Sequence, residues 1–268
     1  MAFSAGPITV RWYGLIITTA VVIGYAIAYK RVKDRGQDPE HLTNILIYGL
    51  ISAIIGARAY YVLFSLKDYL SNPVEALAVW HGGLAIHGAL TGGIISTIIY
   101  ARRHGLDFWY WADLMAPSII LGQAIGRWGN WMNQEAFGVP TKLPWAIYIE
   151  PSKRPLEFSA FSHFHPAFLY ESLWNVLGFG LLLYLSRRQR ADKRLWPTGS
   201  VFLAYGIYYS IGRGLIEGLR TDSLMWGPFR AAQWASAGII IVCAIILWRR
   251  RAATAVPGRT PKAKKVPV

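Results

Sequence analysis

Residues 111–138 read WADLMAPSIILGQAIGRWGNWMNQEAFG, an apolar run that passes almost without a spacer into a charged, amide-rich cluster. The apolar part, Trp111–Ile125, reads as a membrane-spanning helix, short against the ~20 residues that a full crossing needs. The cluster that follows packs Arg127, Asn130, Asn133, Gln134 and Glu135 into a few positions, with glycines at 126, 129 and 138. Ionisable groups at membrane depth are costly and mark function by default. This boundary therefore decides both the fold class and where the chemistry is sought.

Six further segments share the apolar character: Trp12–Tyr29, Leu42–Leu66, Leu84–Ala101, Ala167–Leu185, Gly199–Glu217 and Ala231–Trp248. The 268 residues are 54% hydrophobic and 16% charged, with a mean hydropathy of +0.30. That balance excludes an ordinary soluble enzyme and predicts an all-α polytopic integral membrane protein with seven transmembrane helices. No internal repeat and no second soluble domain is read. The expected organisation is a seven-span domain over 1–251, with an outward-facing loop at 127–165 and a disordered basic cytoplasmic tail at 252–268.

The formal net charge of +14 suggests nucleic acid until the charges are located. Lys30, Arg31, Lys33 and Arg35 follow the first span, and Arg102 with Arg103 follow the third. Arg187, Arg188, Arg190, Lys193 and Arg194 follow the fifth, and seven more basic residues from Arg249 to Lys265 follow the last. Alternating spans put all of these on one side, which the positive-inside rule makes cytoplasmic. The N-terminus then faces out and the C-terminus in, and no nucleic-acid partner is expected. The first span reads as an N-out anchor rather than a cleavable signal peptide, because its positive charges follow the apolar run. Cys243, the single cysteine, sits in the last apolar run and reads as packing.

Four constellations stand beside the outer connections. In the first, Arg127 offers a planar fork of donors suited to phosphate. Asn130 and Asn133 add amides, and Gly126, Gly129 and Gly138 allow close backbone approach to a ligand. An Arg127–Glu135 pair that only folds an outer turn is the alternative. The second is His81-Gly82-Gly83-Leu84-Ala85-Ile86-His87-Gly88, in which His87 is either a general base or a structural histidine. Its glycines equally suit close helix packing. In the third, Tyr209, Arg213, Glu217 and Arg220 share one helical face. Two arginines and one glutamate leave that stripe net positive and inviting to an anion. In the fourth, His165-Pro166 opens a span with Glu171 one turn inside, for which Arg58 is an expected partner. Tyr13 is an aromatic anchor or an inward-facing site residue.

Together these residues resemble the bacterial prolipoprotein diacylglyceryl transferases. The run GRWGNWMNQEAFG is similar to that family's signature, and WYGL at 12–15, HPAFLYE at 165–171 and the Tyr209-to-Arg220 stripe agree in order and spacing. Trp131 stands where the family usually has Phe, and Thr221 where Pro is common. The resemblance implies transfer of the sn-1,2-diacylglyceryl group of phosphatidylglycerol to the lipobox cysteine of a prolipoprotein signal peptide. It also implies an outward-facing site in the bacterial inner membrane, with membrane lipid around it. The candidate catalytic residues are His87, Arg127 and Arg213. The candidate substrate-binding residues are Tyr13, Arg58, Asn130, Asn133, Glu135, Gly138, Tyr209, Glu217 and Arg220. No metal cluster and no nucleotide motif is read, so no cofactor is expected. A transporter for an anionic solute is the rival from another class, and a purely structural subunit is a second.

Overall fold

A computed structural model describes residues 3–5, 8–70 and 72–255. The tail expected at 252–268 falls outside those residues from position 256 onward. An antiparallel hairpin, β1 (Phe3–Ala5) with β2 (Ile8–Val10), precedes the helices. These are α1 (Trp12–Lys33), α2 (Pro39–Phe64), the single turn α3 (Leu66–Tyr69), α4 (Ile86–Arg103), α5 (Phe108–Asn133), α6 (Ala167–Ala191), α7 (Ser200–Glu217) and α8 (Ala231–Ala255). The seven long helices coincide with the seven apolar segments. Four of them, α1, α2, α6 and α8, are long and apolar enough to cross a membrane.

The helices outrun the hydropathy pattern at their ends. α5 starts at Phe108 and continues to Asn133, so Arg127, Asn130 and Asn133 sit on its last turns and not in an outer loop. α1, α6 and α8 likewise continue through their terminal basic residues, α8 as far as Ala255. Lysine and arginine are good helix formers and carry their charge outward on long stems, so a charge ends the apolar run without ending the helix.

The chain divides into two compact units, one taking in Tyr29–Trp111 and the other α1 up to Ala28 and the described residues from Ala112. In the first, α2 packs on α4 where Gly56 faces Gly88 and Gly92 so closely that any side chain would collide with backbone. Small residues at such a seam let helices approach within backbone contact, the packing that apolar bundles rely on.

In the second unit, α5 lies antiparallel to α1 along a similar seam. Cβ atoms added at Gly122, Gly126 and Gly129 would point at Ala20, Ile17 and Tyr13 in turn. Gly126 and Gly129 thus face α1, Gly129 closely enough that a side chain there would meet the ring of Tyr13. α6 and α7 are clamped by reciprocal bonds: Trp174 Nε1 donates to the Tyr208 carbonyl at 3.1 Å, and Tyr208 Oη to the Trp174 carbonyl at 2.9 Å. Cys243 of α8 packs on Gly206 of α7, consistent with its reading as packing. Between α5 and α6 a small layer has its own core of Phe137, Ile149 and Phe164. There β3 (Ile147–Tyr148) pairs with β4 (His163–Phe164).

One buried carboxylate sets the register of α5 and α7. Asp113 of α5 accepts from the backbone N–H groups of Gly199 at 2.6 Å and Phe202 at 2.8 Å, and from Gln189 Nε2 of α6 at 2.6 Å. It thereby supplies the N-terminus of α7 with the anion and acceptors that a helix start lacks. Arg127 lies fourteen residues beyond Asp113, and Arg213 fourteen beyond Gly199. Two helices tied at one end therefore deliver the two arginines to the same level, about 21 Å away at 1.5 Å per residue. Asp113→Ala strands these donors in the interior, and the expected cost is roughly 3 kcal/mol. Thermal unfolding in detergent checks it against the exposed Asp34→Ala, which is expected to leave the midpoint unchanged.

Candidate active site

The C-terminal ends of α5 and α7, the N-terminal end of α6 and the residues just after α7 meet around one carboxylate. Glu171 is 5% exposed, one turn into α6, behind Pro166, which suits a first helical turn. Its Oε2 meets Arg127 Nε at 2.6 Å, and its Oε1 meets Arg213 Nη1 at 3.1 Å and Arg220 Nη1 at 3.7 Å. Arg213 Nη2 also bridges to Glu217 Oε2 at 2.6 Å, one turn on along α7. Arg220 forms a bidentate pair with Asp222, Nε to Oδ1 at 2.9 Å and Nη2 to Oδ2 at 2.7 Å. The two arginines expected to work together, Arg127 and Arg213, thus share a partner.

The charge balance differs from the expectation. Among the described residues, the three guanidinium groups meet three carboxylates, Glu171, Glu217 and Asp222, so the stripe is neutral and not net positive. The difference arises because Glu171 and Asp222 lie off the face of α7 that the helical spacing predicts. Arg230 Nη1 reaches the carbonyls of Glu217 and Arg220 and the Ser223 hydroxyl. It satisfies the C-terminal end of α7 and fixes the backbone of Arg220.

The amide cluster is wired differently as well. Glu135 does not pair with Arg127: its Oε1 accepts from Asn130 Nδ2 at 3.0 Å and from Asn133 Nδ2 at 3.2 Å. Arg127 Nη1 makes a long 3.5 Å contact with Asn130 Oδ1. Gln134 and Ala136, on either side of Glu135, both have positive φ, 51° and 57°. Such backbone is uncommon for residues with a side chain and is held only by its surroundings. Here Gln134 Oε1 accepts from the N–H of Glu150 at 2.8 Å. A cavity of about 620 Å³ opens beside this turn, with Asn133, Glu135, Glu150, Arg11, Lys153 and Asp222 in its wall.

Gly138 sits where three strands of chain cross, not against open space. Its N–H donates to the His165 carbonyl at 2.9 Å, it bridges to Arg220, and a Cβ would stand 2.7 Å from that of His165. Its smallness holds Arg220 to the end of α5. Tyr13 of α1 lies over Gly129, which places it beside the helix of Arg127. Tyr209 lies one turn inside Arg213, its ring 6.0 Å from that of Tyr205.

In the other unit, Arg58 is not the partner of Glu171. Its Nε donates to the Ala76 carbonyl at 2.9 Å, Nη1 to Gly82 at 2.6 Å and Gly83 at 3.1 Å, and Nη2 to Glu75 at 2.6 Å. The guanidinium closes the connection from α2 to α4, and Glu171, its expected partner, is held by Arg127, Arg213 and Arg220 instead. Gly82 and Gly83 have φ of 92° and 70°, which turns both carbonyls onto Arg58 and accounts for the paired glycines. His87, in the first turn of α4, is exposed, with its ring 5.9 Å from Tyr60. The imidazole that a carboxylate orients here is His81, its Nδ1 2.5 Å from Glu75 Oε1.

Residues 1–249 match the family model described as prolipoprotein diacylglyceryl transferase. The chain is 48% identical over 260 residues to the phosphatidylglycerol–prolipoprotein diacylglyceryl transferase of Nostoc sp., covering 97% of this chain and 92% of that protein. It is 50% identical over 244 residues to the protein of the same name from Trichormus variabilis, covering 91% and 86%. A third of that name, from Synechococcus elongatus, is 48% identical over 231 residues, covering 86% and 80%.

Glu171→Ala leaves guanidinium groups buried with one anion too few, and breaking such a pair costs about 3–5 kcal/mol. The expected outcome is a marked fall in the unfolding midpoint in detergent, whereas Glu171→Gln, which keeps the acceptor oxygen, loses less. Equal midpoints for Glu171→Ala and wild type overturn the central placing of this carboxylate.

Proposed function

The chain belongs to the prolipoprotein diacylglyceryl transferase family, and on that premise we propose the reaction it carries out and the residues that perform it. It moves the sn-1,2-diacylglyceryl group of phosphatidylglycerol to the lipobox cysteine thiol of a prolipoprotein, giving a thioether and glycerol 1-phosphate. The observation that carries this reading is the convergence of Arg127, Arg213 and Arg220 on Glu171. It gathers phosphate-binding groups from separate parts of the chain at one depth.

The nucleophile is the thiol of the substrate, ordinarily with a pKa near 8.5, and it attacks as thiolate. The new bond is from sulfur to the glyceryl carbon, and the bond that breaks joins that carbon to the phosphate oxygen. The departing phosphodiester becomes a monoester, its charge growing from about −1 toward −2. Donors fixed in a site of low dielectric act most strongly on charge that appears only in the transition state. Arg127 and Arg213 serve that purpose, and Arg220 supports them. Asn130, Asn133 and Glu135 bind the headgroup, with Glu135 taking the glycerol hydroxyls. Glu217 orients Arg213, and Tyr13 and Tyr209 complete the binding site.

His87 takes the thiol proton in this reading. The Glu75–His81 pair supports a second reading, since a carboxylate bonded to one ring nitrogen fixes the tautomer and orients the imidazole. The protein crosses the bacterial inner membrane seven times, N-terminus out and C-terminus in, with the site toward the periplasm. The distribution of basic residues supports that orientation.

Turnover is read by mass spectrometry of a lipobox peptide incubated with purified protein and phosphatidylglycerol. Arg127→Ala and Arg213→Ala are each expected to lose at least ~10²–10³-fold in rate, the usual cost of removing one such donor. Near-normal turnover of both at matched membrane abundance overturns the assignment, and solute flux without lipid conversion favours a transporter. His87→Asn and His81→Asn decide the base: the variant that retains substantial activity loses the role. Orientation is tested in intact cells by a membrane-impermeant thiol reagent, which is expected to label Ser159→Cys and not Asp34→Cys.

A further inference from the structure

The three carboxylates of the arginine cluster are not equivalent. Glu171 and Glu217 have side chains 6% and 5% exposed and sit on helices, whereas Asp222 is 49% exposed and lies beyond the end of α7. Asp222 also forms part of the wall of the 620 Å³ cavity, together with Asn133 and Glu135. Its two oxygens meet Nε and Nη2 of Arg220 side by side, at 2.9 and 2.7 Å. This fork-to-fork arrangement is the one through which a guanidinium also grips two oxygens of a phosphate. Asp222 thus holds the donor edge of Arg220 that a phosphoryl group would use, and of the two it is Asp222 that forms part of the cavity wall.

We propose that Asp222 is a resident anion standing in for a glycerophosphate, displaced from Arg220 when that group enters the cavity. The proposal rests on reading the arginine cluster as a phosphate site. The pairing suits such an exchange, because Arg127, Arg213 and Arg220 each already face a carboxylate. A further anion is held well only if one carboxylate leaves, and the half-exposed one is the easiest to release into water.

The backbone is arranged to let this happen without loss of Arg220. Residue 220 is held by its bridge to Gly138 and by Arg230 on its carbonyl at 2.8 Å, and Thr221 N–H is bonded to the Phe137 carbonyl at 3.3 Å. Asp222 follows these anchors, so its side chain can turn away while Arg220 stays in place. The cavity offers the other half of the ligand a partner as well. Glu135 Oε1 is occupied by two amides, which leaves Oε2 to accept from glycerol hydroxyls.

Burial raises the Asp222 carboxyl, but the hydrogen bonds and charge of Arg220, helped by Arg213, more than offset it and hold it below its ordinary value. At neutral pH the exchange is therefore of one anion for another and involves no proton.

Steady-state kinetics of Asp222→Asn test the idea, with phosphatidylglycerol as substrate and glycerol 1-phosphate as inhibitor. Loss of the competing anion is expected to lower KM for the lipid and the inhibition constant of glycerol 1-phosphate, each about threefold to tenfold. Asp222→Glu, which keeps an anion within reach, is expected to stay near wild type in both. A fall in KM alone assigns the subsite to the intact lipid, and a fall in the inhibition constant alone assigns it to the free product. Values of both that are equal to or above wild type overturn the proposal and make Asp222 a positioning residue for Arg220. If Asp222→Asn does not accumulate, Asp222→Ser is measured in its place with the same outcomes. Wild type that converts no phosphatidylglycerol refutes the transferase reading instead, so the two failures are told apart.

Discussion

A guanidinium group taken out of water loses several kcal/mol of solvation, and a single carboxylate recovers that loss only when the geometry is good and the remaining donors are also satisfied. The ends of α5, α6 and α7 that carry Arg127, Glu171 and Arg213 are organised around this requirement. Glu171 supplies one oxygen to Arg127 and the other to Arg213, so that both arginines draw on α6, Arg213 with Glu217 of its own helix as a second partner. The positions of three helix ends thereby become interdependent. What looks like an isolated motif at the end of α5 is one side of a network whose other sides lie more than forty residues away in sequence.

The opposite end of α5 and α7 answers a matching need. A helix start exposes N–H groups that cannot be left bare in an apolar interior, and α7 has no side chain of its own to cap them. Asp113 supplies the acceptor from α5. Because this tie and the Glu171 network act at opposite ends of two helices running the same way, the fourteen-residue intervals between them become a ruler. Shortening either interval by one residue would rotate its arginine by about 100° away from Glu171.

The seven long helices were legible in the sequence, because an apolar run of span length leaves few alternatives. Their ends were not, since hydropathy reports where charge begins and not where backbone hydrogen bonding stops. Arg127 and Arg213 were legible as a pair because guanidinium groups are rare in apolar runs and stand out. Glu171 drew notice but was matched with Arg58, a choice that only three-dimensional proximity decides. Arg58 itself carried no signal of its true partners, since these are backbone carbonyls, which every residue possesses. The glycines were visible, but a glycine admits a ligand, a neighbouring helix or a left-handed turn alike. Gly126 and Gly129 face a helix, Gly138 a chain crossing, and Gly82 and Gly83 the positive-φ region.

Neutrality of the cluster bears directly on how it would act. Unpaired arginines would bind a phosphodiester strongly in its ground state, and binding that is equal in ground and transition states does not raise turnover. Carboxylates that already hold the guanidinium groups weaken the ground-state pull while keeping the donors aimed. As a leaving phosphate gains its second charge, it competes better with a carboxylate for the same donors than the singly charged diester does. The balance of Arg127, Arg213 and Arg220 against Glu171, Glu217 and Asp222 is therefore suited to a reaction in which negative charge grows. It is ill suited to tight storage of an anion, and this favours a transferase over a static binding protein for the same set of residues.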